Sequence, residues 1–543
     1  MLTLLKGGRI IDPYNDRDEI GDLWIEDGHI VAAPQGRLPD KTHDVAGKIV
    51  MAGAIDIHSH IAGGNVNTAR LLLPELHRSR TAPQLPLATA KWSTYETGVI
   101  YAGMGFTTVV EPAVAPHQAL QAHLELSSIP IIDKATLTIL GNDDFLLSLL
   151  REGESRAAIA DYVAATLAAT HSLGLKCINA GGAEAFKYNA RTFSLDDEVP
   201  FYGDITSRKI VEGLQQALVD LKVPHPLHLH ANNLGVPGNV ATAIATIDAA
   251  RGLPLHLAHM QFYGYGSEGE HGFSSAAATL AAKVNSAPNV TIDIGQVMFG
   301  QTVTISADTL RQFGATGSAK PKKSVINDGD ANGFGIVPYL YKEGDFINAI
   351  QWACGLELFL LVNDPSRIFF TTDHPNGAPF TTYPDVFALL MSRERRAEAL
   401  SRIPQDVLAY TTLPSITREY SYGEIATMTR AAPAKLFGFT DRGQLGEGSV
   451  ADVAVYSPNA DFAKMFRRAH LVFKDGDLVV RDGTISHYRW GKALKVNPEY
   501  DKAINRRLGA YYEQNYGVSH NMFAVPAHIL PRKDPFKEVA CAK

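Results

Sequence analysis

Apolar and polar positions along this chain fall into three regimes. At the start, Leu4–Ile11 and Leu23–Val31 are short apolar runs, the second bent at Asp27-Gly28, which predicts strands joined by a tight turn. In the middle, short β-branched runs alternate with alanine-rich stretches. Thr107–Glu111, Lys176–Asn179, Pro226–His230, Pro254–His259, Val290–Ile294 and Ile368–Asp373 predict strands, while Ala157–Thr170 and Ala241–Ala250 predict helices between them. A further apolar run, Lys48–Ala54, predicts a buried strand leading into Ile55-Asp56-Ile57-His58-Ser59-His60. The first regime returns late in the chain, where Ala451–Tyr456 and Leu471–Ile485 carry strand patterns and two more Asp-Gly turns.

Strands alternating with helices predict βα units and a parallel sheet. A barrel of eight such units needs roughly 250 residues, more with insertions, and residues 51–437 accommodate it. The expected fold class is therefore α/β, a (β/α)8 TIM-like barrel. Residues 1–50 and 438–495 individually bury too little to stand alone and are expected to pair into one composite β-sandwich domain from both chain ends. Residues 496–543, rich in Tyr, Asn, Arg and Pro, read as a packing or subunit-contact extension. A doubly wound open sheet is the rival, but no glycine fingerprint of the dinucleotide or P-loop kind favours it.

Composition narrows the function classes. The 543 residues are 45% hydrophobic and 20% charged, ordinary for a globular protein, with a formal net charge of −7 that offers nucleic acid no basic footprint. No apolar run reaches the roughly 18 residues of a membrane span, and MLTLLKGGRIIDPYN lacks a signal-peptide layout. The three cysteines, Cys177, Cys354 and Cys541, have no paired spacing, which argues against thiolate metal sites and for a reducing compartment. The expectation is a cytoplasmic enzyme or assembly component without nucleic-acid or membrane partners.

The chemistry sits where a barrel presents its active site, at strand C-termini. Alternate residues of a strand share a face, so His58 and His60 project together and can hold a metal ion from one side. His230, His259 and Asp373 stand at later strand ends. His228 and His256 compete with His230 and His259, which are preferred because they lie nearer the ends. Lys176 lies inside an apolar strand, an expensive place for a hydrated ammonium unless it is paired, deprotonated or modified. Lys187, after Gly181-Gly182, is the rival lysine. Asp56 is expected to support His58 or His60, or to pack structurally.

The order His-x-His, Lys, His, His, Asp over successive strands resembles the amidohydrolase superfamily. The stretches Asp56–Gly64, Leu227–Gly235, Ala258–Phe262 and Thr371–Gly377 are similar to the formylmethanofuran dehydrogenase alpha-subunit family, which includes the equivalent polypeptide of the bacterial formyltransferase/hydrolase complex. The similarity runs nearly the whole chain. Ala52 departs from a usual proline, and His374 stands where a smaller residue is common. The resemblance implies zinc, two ions bridged by a carboxylated Lys176, with His58, His60, His230, His259 and Asp373 as the other ligands. It implies Asp373 as the group that moves the proton, Asn232 on the substrate side, and hydrolysis of an N-formyl group on a methanofuran-type carrier with release of formate. Other subunits of a formyltransferase/hydrolase complex are the implied partners. The alternatives are the formate-condensing component of a formylmethanofuran dehydrogenase, a cyclic-amide hydrolase of the hydantoinase or dihydroorotase sort, and a metal-free scaffold.

Overall fold

A computed structural model describes residues 1–73, 94–327 and 333–541. Eight parallel strands follow one another around a barrel: Ala54–Asp56, Phe106–Val114, Asp133–Ile139, Gly174–Ile178, Leu227–His230, Leu255–Leu257, Val290–Asp293 and Ile368–Phe369. Each pairs in parallel register with the next. The ring returns to its start through a parallel bridge between Ser59 and His374, where the His60 N–H donates to the His374 carbonyl at 2.8 Å. Helices such as Arg156–Thr170 and Val240–Ala249 cover the outside, as their alanine-rich sequences predict. The first of these is started by Ser155, whose side chain accepts from the Ala158 N–H.

The run Lys48–Ala54 is not one strand. Ile49–Ala52 belongs to the outer sheet and Ala54–Asp56 to the barrel, with the break at Gly53. A Cβ at Gly53 would stand 2.2 Å from the Thr107 hydroxyl, so the chain turns from one sheet to the other where only glycine fits. The strand Asp133–Ile139 has no counterpart among the apolar runs singled out above.

The outer strands form one continuous nine-stranded sheet that combines Leu2–Asp12, Arg17–Glu26, His29–Val31, Lys41–Asp44 and Ile49–Ala52 with Val453–Tyr456, Leu471–Lys474, Asp477–Arg481 and Thr484–Ile485. It has a core of its own, including Leu5, Ile25, Val453 and Phe473. The three Asp-Gly pairs of the outer strands turn with positive φ at both residues, at Asp27-Gly28, Asp475-Gly476 and Asp482-Gly483, the geometry a two-residue hairpin demands. Ala493–Lys495, which the boundary at 495 assigns to the outer domain, instead pairs with the barrel strand Asp133–Ile139, and Phe536–Glu538 pairs with it in turn. These two strands complete a ten-stranded sheet. No helix among the described residues is long and apolar enough to cross a membrane.

Candidate metal centre

The C-terminal ends of the barrel strands surround a cavity of about 200 Å³ whose wall includes His58, His60, Lys176, His230, His259 and Asp373. Asp56 fixes the first pair: its carboxylate accepts from the His58 N–H at 3.0 Å and from the hydroxyls of Tyr101 and Tyr383 at 2.7 and 2.5 Å. Each ring of the pair then has a carboxylate behind it. His58 Nδ1 lies 3.0 Å from Asp293 Oδ2, and His60 Nδ1 lies 2.9 Å from Glu111 Oε1. A carboxylate at Nδ1 holds the proton there and leaves the Nε2 lone pair facing inward. Both Nε2 atoms converge on Asp373 Oδ1, at 3.0 and 3.3 Å.

Lys176 lies on the fourth barrel strand, 2% exposed, and its Nζ has no hydrogen-bond partner among the described residues. Burial pushes its ammonium down to about 8, against the opposing pull of Asp293 and Asp373. Across the cavity the rings of His230 and His259 are 4.6 Å apart, and His259 Nδ1 is buried without a partner. Burial lowers both histidines, so each offers a neutral nitrogen. His259 is placed by its own N–H, which donates to Asp293 Oδ1 at 2.6 Å. His259 and Asp373 both adopt left-handed backbone, with φ of 40° and 51°, strain of the kind stored at functional sites. Burial would raise the Asp373 carboxyl, but His58 and His259 hold it well below the ordinary carboxylate range. Burial likewise opposes the charge on His60, which Glu111 and Asp373 nevertheless raise to about 9.

The competing histidines point elsewhere. His228 Nε2 lies 3.1 Å from His58 Nδ1, and His256 Nε2 lies 3.1 Å from Asp293 Oδ2, beneath the cavity. His228 also meets His225, at 3.2 Å. Lys187 ends the short helix Gly182–Lys187 and pairs with Glu184 at 2.6 Å, away from the cavity wall. Asn232 is buried just outside the described cavity wall, where its side chain accepts from the Ser207 hydroxyl at 3.1 Å and donates to the Ala180 carbonyl. Glu111, Asp293 and Asp308 enter the site without having been singled out from the sequence. Each of the first two is a lone carboxylate in an apolar strand, a signal that buried polar groups need partners; Asp308, which reaches His230 Nε2 at 3.2 Å, reads from sequence only as a helix cap.

The donors fit a metal. Imidazole nitrogens with Nε2 facing the cavity, a carboxylate oxygen and an unpartnered lysine nitrogen are buried around one cavity, and nitrogen and oxygen donors of this kind suit zinc. Among the described residues two further trios could hold an ion: His58, His228 and Asp293, which share the His58 Nδ1 side, and Asp133, Asp452 and Asp475, which already surround the ammonium of Lys474.

The amidohydrolase family profile matches residues 41–487. The alpha subunit of the formyltransferase/hydrolase complex Fhc from Methylorubrum extorquens is 50% identical over 548 residues, covering all of both chains. Protein FwdA of Methanocaldococcus jannaschii is 36% identical, covering 96% of this chain and 97% of its own. Among solved structures, the Methylorubrum extorquens formyltransferase/hydrolase complex with methylofuran contains a chain that superposes over the full length of both, with a TM-score of 0.97 and 51% identity.

Proposed function

This chain belongs to the amidohydrolase family and, within it, to the formylmethanofuran dehydrogenase alpha-subunit family, and on that premise we propose that it hydrolyses the N-formyl amide of a methanofuran-type carrier, releasing formate. We place it in a formyltransferase/hydrolase complex, as its Methylorubrum relative is. The observation that carries this reading is the convergence of His58 Nε2, His60 Nε2 and Asp373 Oδ1 beside the partnerless Lys176 Nζ.

His58, His60, His230, His259, Asp373 and a carboxylated Lys176 would hold two zinc ions. When bound, such ions polarise a carbonyl and lower the pKa of water from 15.7 toward about 7. Glu111 and Asp293 keep the histidine rings in the tautomer that faces the cavity. Asp373 accepts a proton from the attacking water and returns it to the amine nitrogen as the C–N bond breaks. One C–O bond forms, one C–N bond breaks, and amine and formate leave. The same groups catalyse the reverse condensation.

The test is formate release from the N-formylated carrier by the zinc-replete complex, with hydantoin and dihydroorotate as comparison substrates. Formate is expected from the carrier alone. Asp373→Asn keeps an oxygen at the same place but loses the base, so turnover should fall about 10²–10⁴-fold with zinc still bound. No formate from the parent complex, or parental turnover in the Asn variant at full zinc, would defeat the proposal.

A further inference from the structure

The charges around the catalytic cavity do not balance locally. Three carboxylates line it, and each is already engaged. Glu111 is taken by His60 and the N–H groups of Ile61 and Ala62; Asp308 by His230, Asn179 and the Arg311 N–H; Asp373 by His58, His60 and Asn376. Arg311 lines the same cavity from the first turn of helix Thr309–Ala315. Among the described residues its guanidinium has no carboxylate partner. Nη2 donates to the Arg191 carbonyl at 2.5 Å, and Nε is buried with no acceptor. Arg191 repeats the pattern one step outward. Its guanidinium lies 5.9 Å from the ring centres of Phe186 and Phe313, and its polar contacts are to the Ala190 carbonyl and the Asn189 side chain.

Among the described residues neither arginine has an acidic partner, and in a protein of net charge −7 the two mark a locally positive stretch of wall beside the reacting centre. Guanidinium stays charged at any working pH and offers planar donors suited to a carboxylate. The carbonyl of Arg191 and the N-cap at Asp308 hold Arg311 in place beforehand, which lowers the ordering entropy of ligand capture. Apart from Lys176 and the histidines of the candidate metal centre, the remaining polar side chains described in the wall, including Asn65, Gln118 and Gln351, carry no charge.

We infer that Arg311, backed by Arg191, is a specificity-determining residue that anchors a carboxylate in the catalytic cavity. The inference rests on the formamide-hydrolase reading for its context. The carboxylate has two sources in that context: one borne by the carrier, or formate itself.

Arg311→Gln and Arg311→Lys in the zinc-replete complex separate these sources. The substrates are the N-formylated carrier and N-furfurylformamide, which keeps the formyl amide and has no carboxylate; formate serves as product inhibitor. If the carrier supplies the group, Arg311→Gln raises KM for the carrier about ten- to a hundred-fold with kcat nearly unchanged, and N-furfurylformamide is unaffected. If formate is the ligand, its inhibition constant rises by that factor while both KM values hold. Arg311→Lys restores part of either loss. Parental values for all three quantities in Arg311→Gln, or an equal collapse of kcat on both substrates that Lys does not repair, overturns the assignment. A parent complex that hydrolyses neither substrate defeats the formamide reading instead. The anchor is then read directly by calorimetric titration of acetate, which Arg311→Gln must weaken about tenfold or more for the inference to stand.

Discussion

Lys176 shows how far one side chain can be read. It sits between Leu175 and Cys177 in a fully buried strand, with no partner for Nζ, and burial lowers it to about 8. At neutral pH about a tenth of it is then the free amine, the form that adds carbon dioxide to become a carbamate. Lys176→Ala should strip zinc and activity together, and a short carboxylic acid in solution should restore part of the activity by filling the vacated place. Lys187→Ala, which breaks the pair with Glu184 away from the cavity, should keep its metal. Metal loss in the Lys187 variant with retention in the Lys176 variant would reverse the assignment. The lysine and the strand-end histidines were legible because polar groups in apolar runs are costly and therefore conspicuous. Their orienting partners were not: Asp293 meets His58 across 235 positions of sequence, a separation that no local pattern encodes.

At the scale of elements, the turn after the seventh barrel strand controls how closely two ligand positions approach. Gly295 has φ of +65°, and a Cβ there would stand 2.5 Å from the His259 Cβ and 3.3 Å from the Asp373 Cβ. Gly295→Ala should cost about 1–3 kcal/mol of stability and weaken zinc binding by forcing His259 and Asp373 apart. Gly314→Ala is the control: a Cβ there meets nothing within 4 Å, and alanine inside a helix should gain about 0.5–1 kcal/mol. Equal zinc affinity in both variants would show that the turn does not set the spacing. Much of the element order was legible, since β-branched runs, alanine-rich helices and Asp-Gly turns each carry a local cause. Asp133–Ile139 was missed because it opens with two charges and alternates threonine with apolar residues. Inside the barrel those hydroxyls are satisfied by neighbours, Thr136 by Ser172 at 2.9 Å and Thr138 by Thr170 at 2.8 Å, so a buried strand carries a half-polar sequence.

The whole molecule depends on how the outer sheet is fastened to the barrel, and a buried ion cluster does part of that fastening. Lys474 of the outer sheet is fully buried and lies 3.0 Å from Asp133 of the barrel, 3.1 Å from Asp452 and 2.7 Å from Asp475, while Arg442 also pairs with Asp133. Burial opposes the ammonium, but the three carboxylates outweigh it and raise its pKa well above the ordinary lysine value. Burial also opposes the Asp133 carboxylate, which Lys474 and Arg442 hold well below its usual range. The signs bound the working window. A raised lysine stabilises fully below its unfolded pKa of about 10.4 and loses that contribution as pH climbs beyond it; a depressed aspartate stabilises above about 3.9 and loses it as pH falls below. The Lys474–Asp133 contact is therefore at full strength between these limits, while the Asp452 carboxyl, raised by burial, takes up its proton at a higher pH than Asp133 does. Lys474→Met leaves Asp133 with Arg442 and Asp475 with Arg489 but deprives buried Asp452 of its cation, and breaking a buried pair in this way costs about 3–5 kcal/mol. The stranded carboxylate should then titrate upward, so acid relieves it and the deficit against the parent should be smaller at about pH 5 than at about pH 7. Urea unfolding of parent and variant at both pH values measures this. A deficit below about 1 kcal/mol at neutral pH, or one that widens on acidification, would mean that the joint is held by its apolar contacts and not by this cluster.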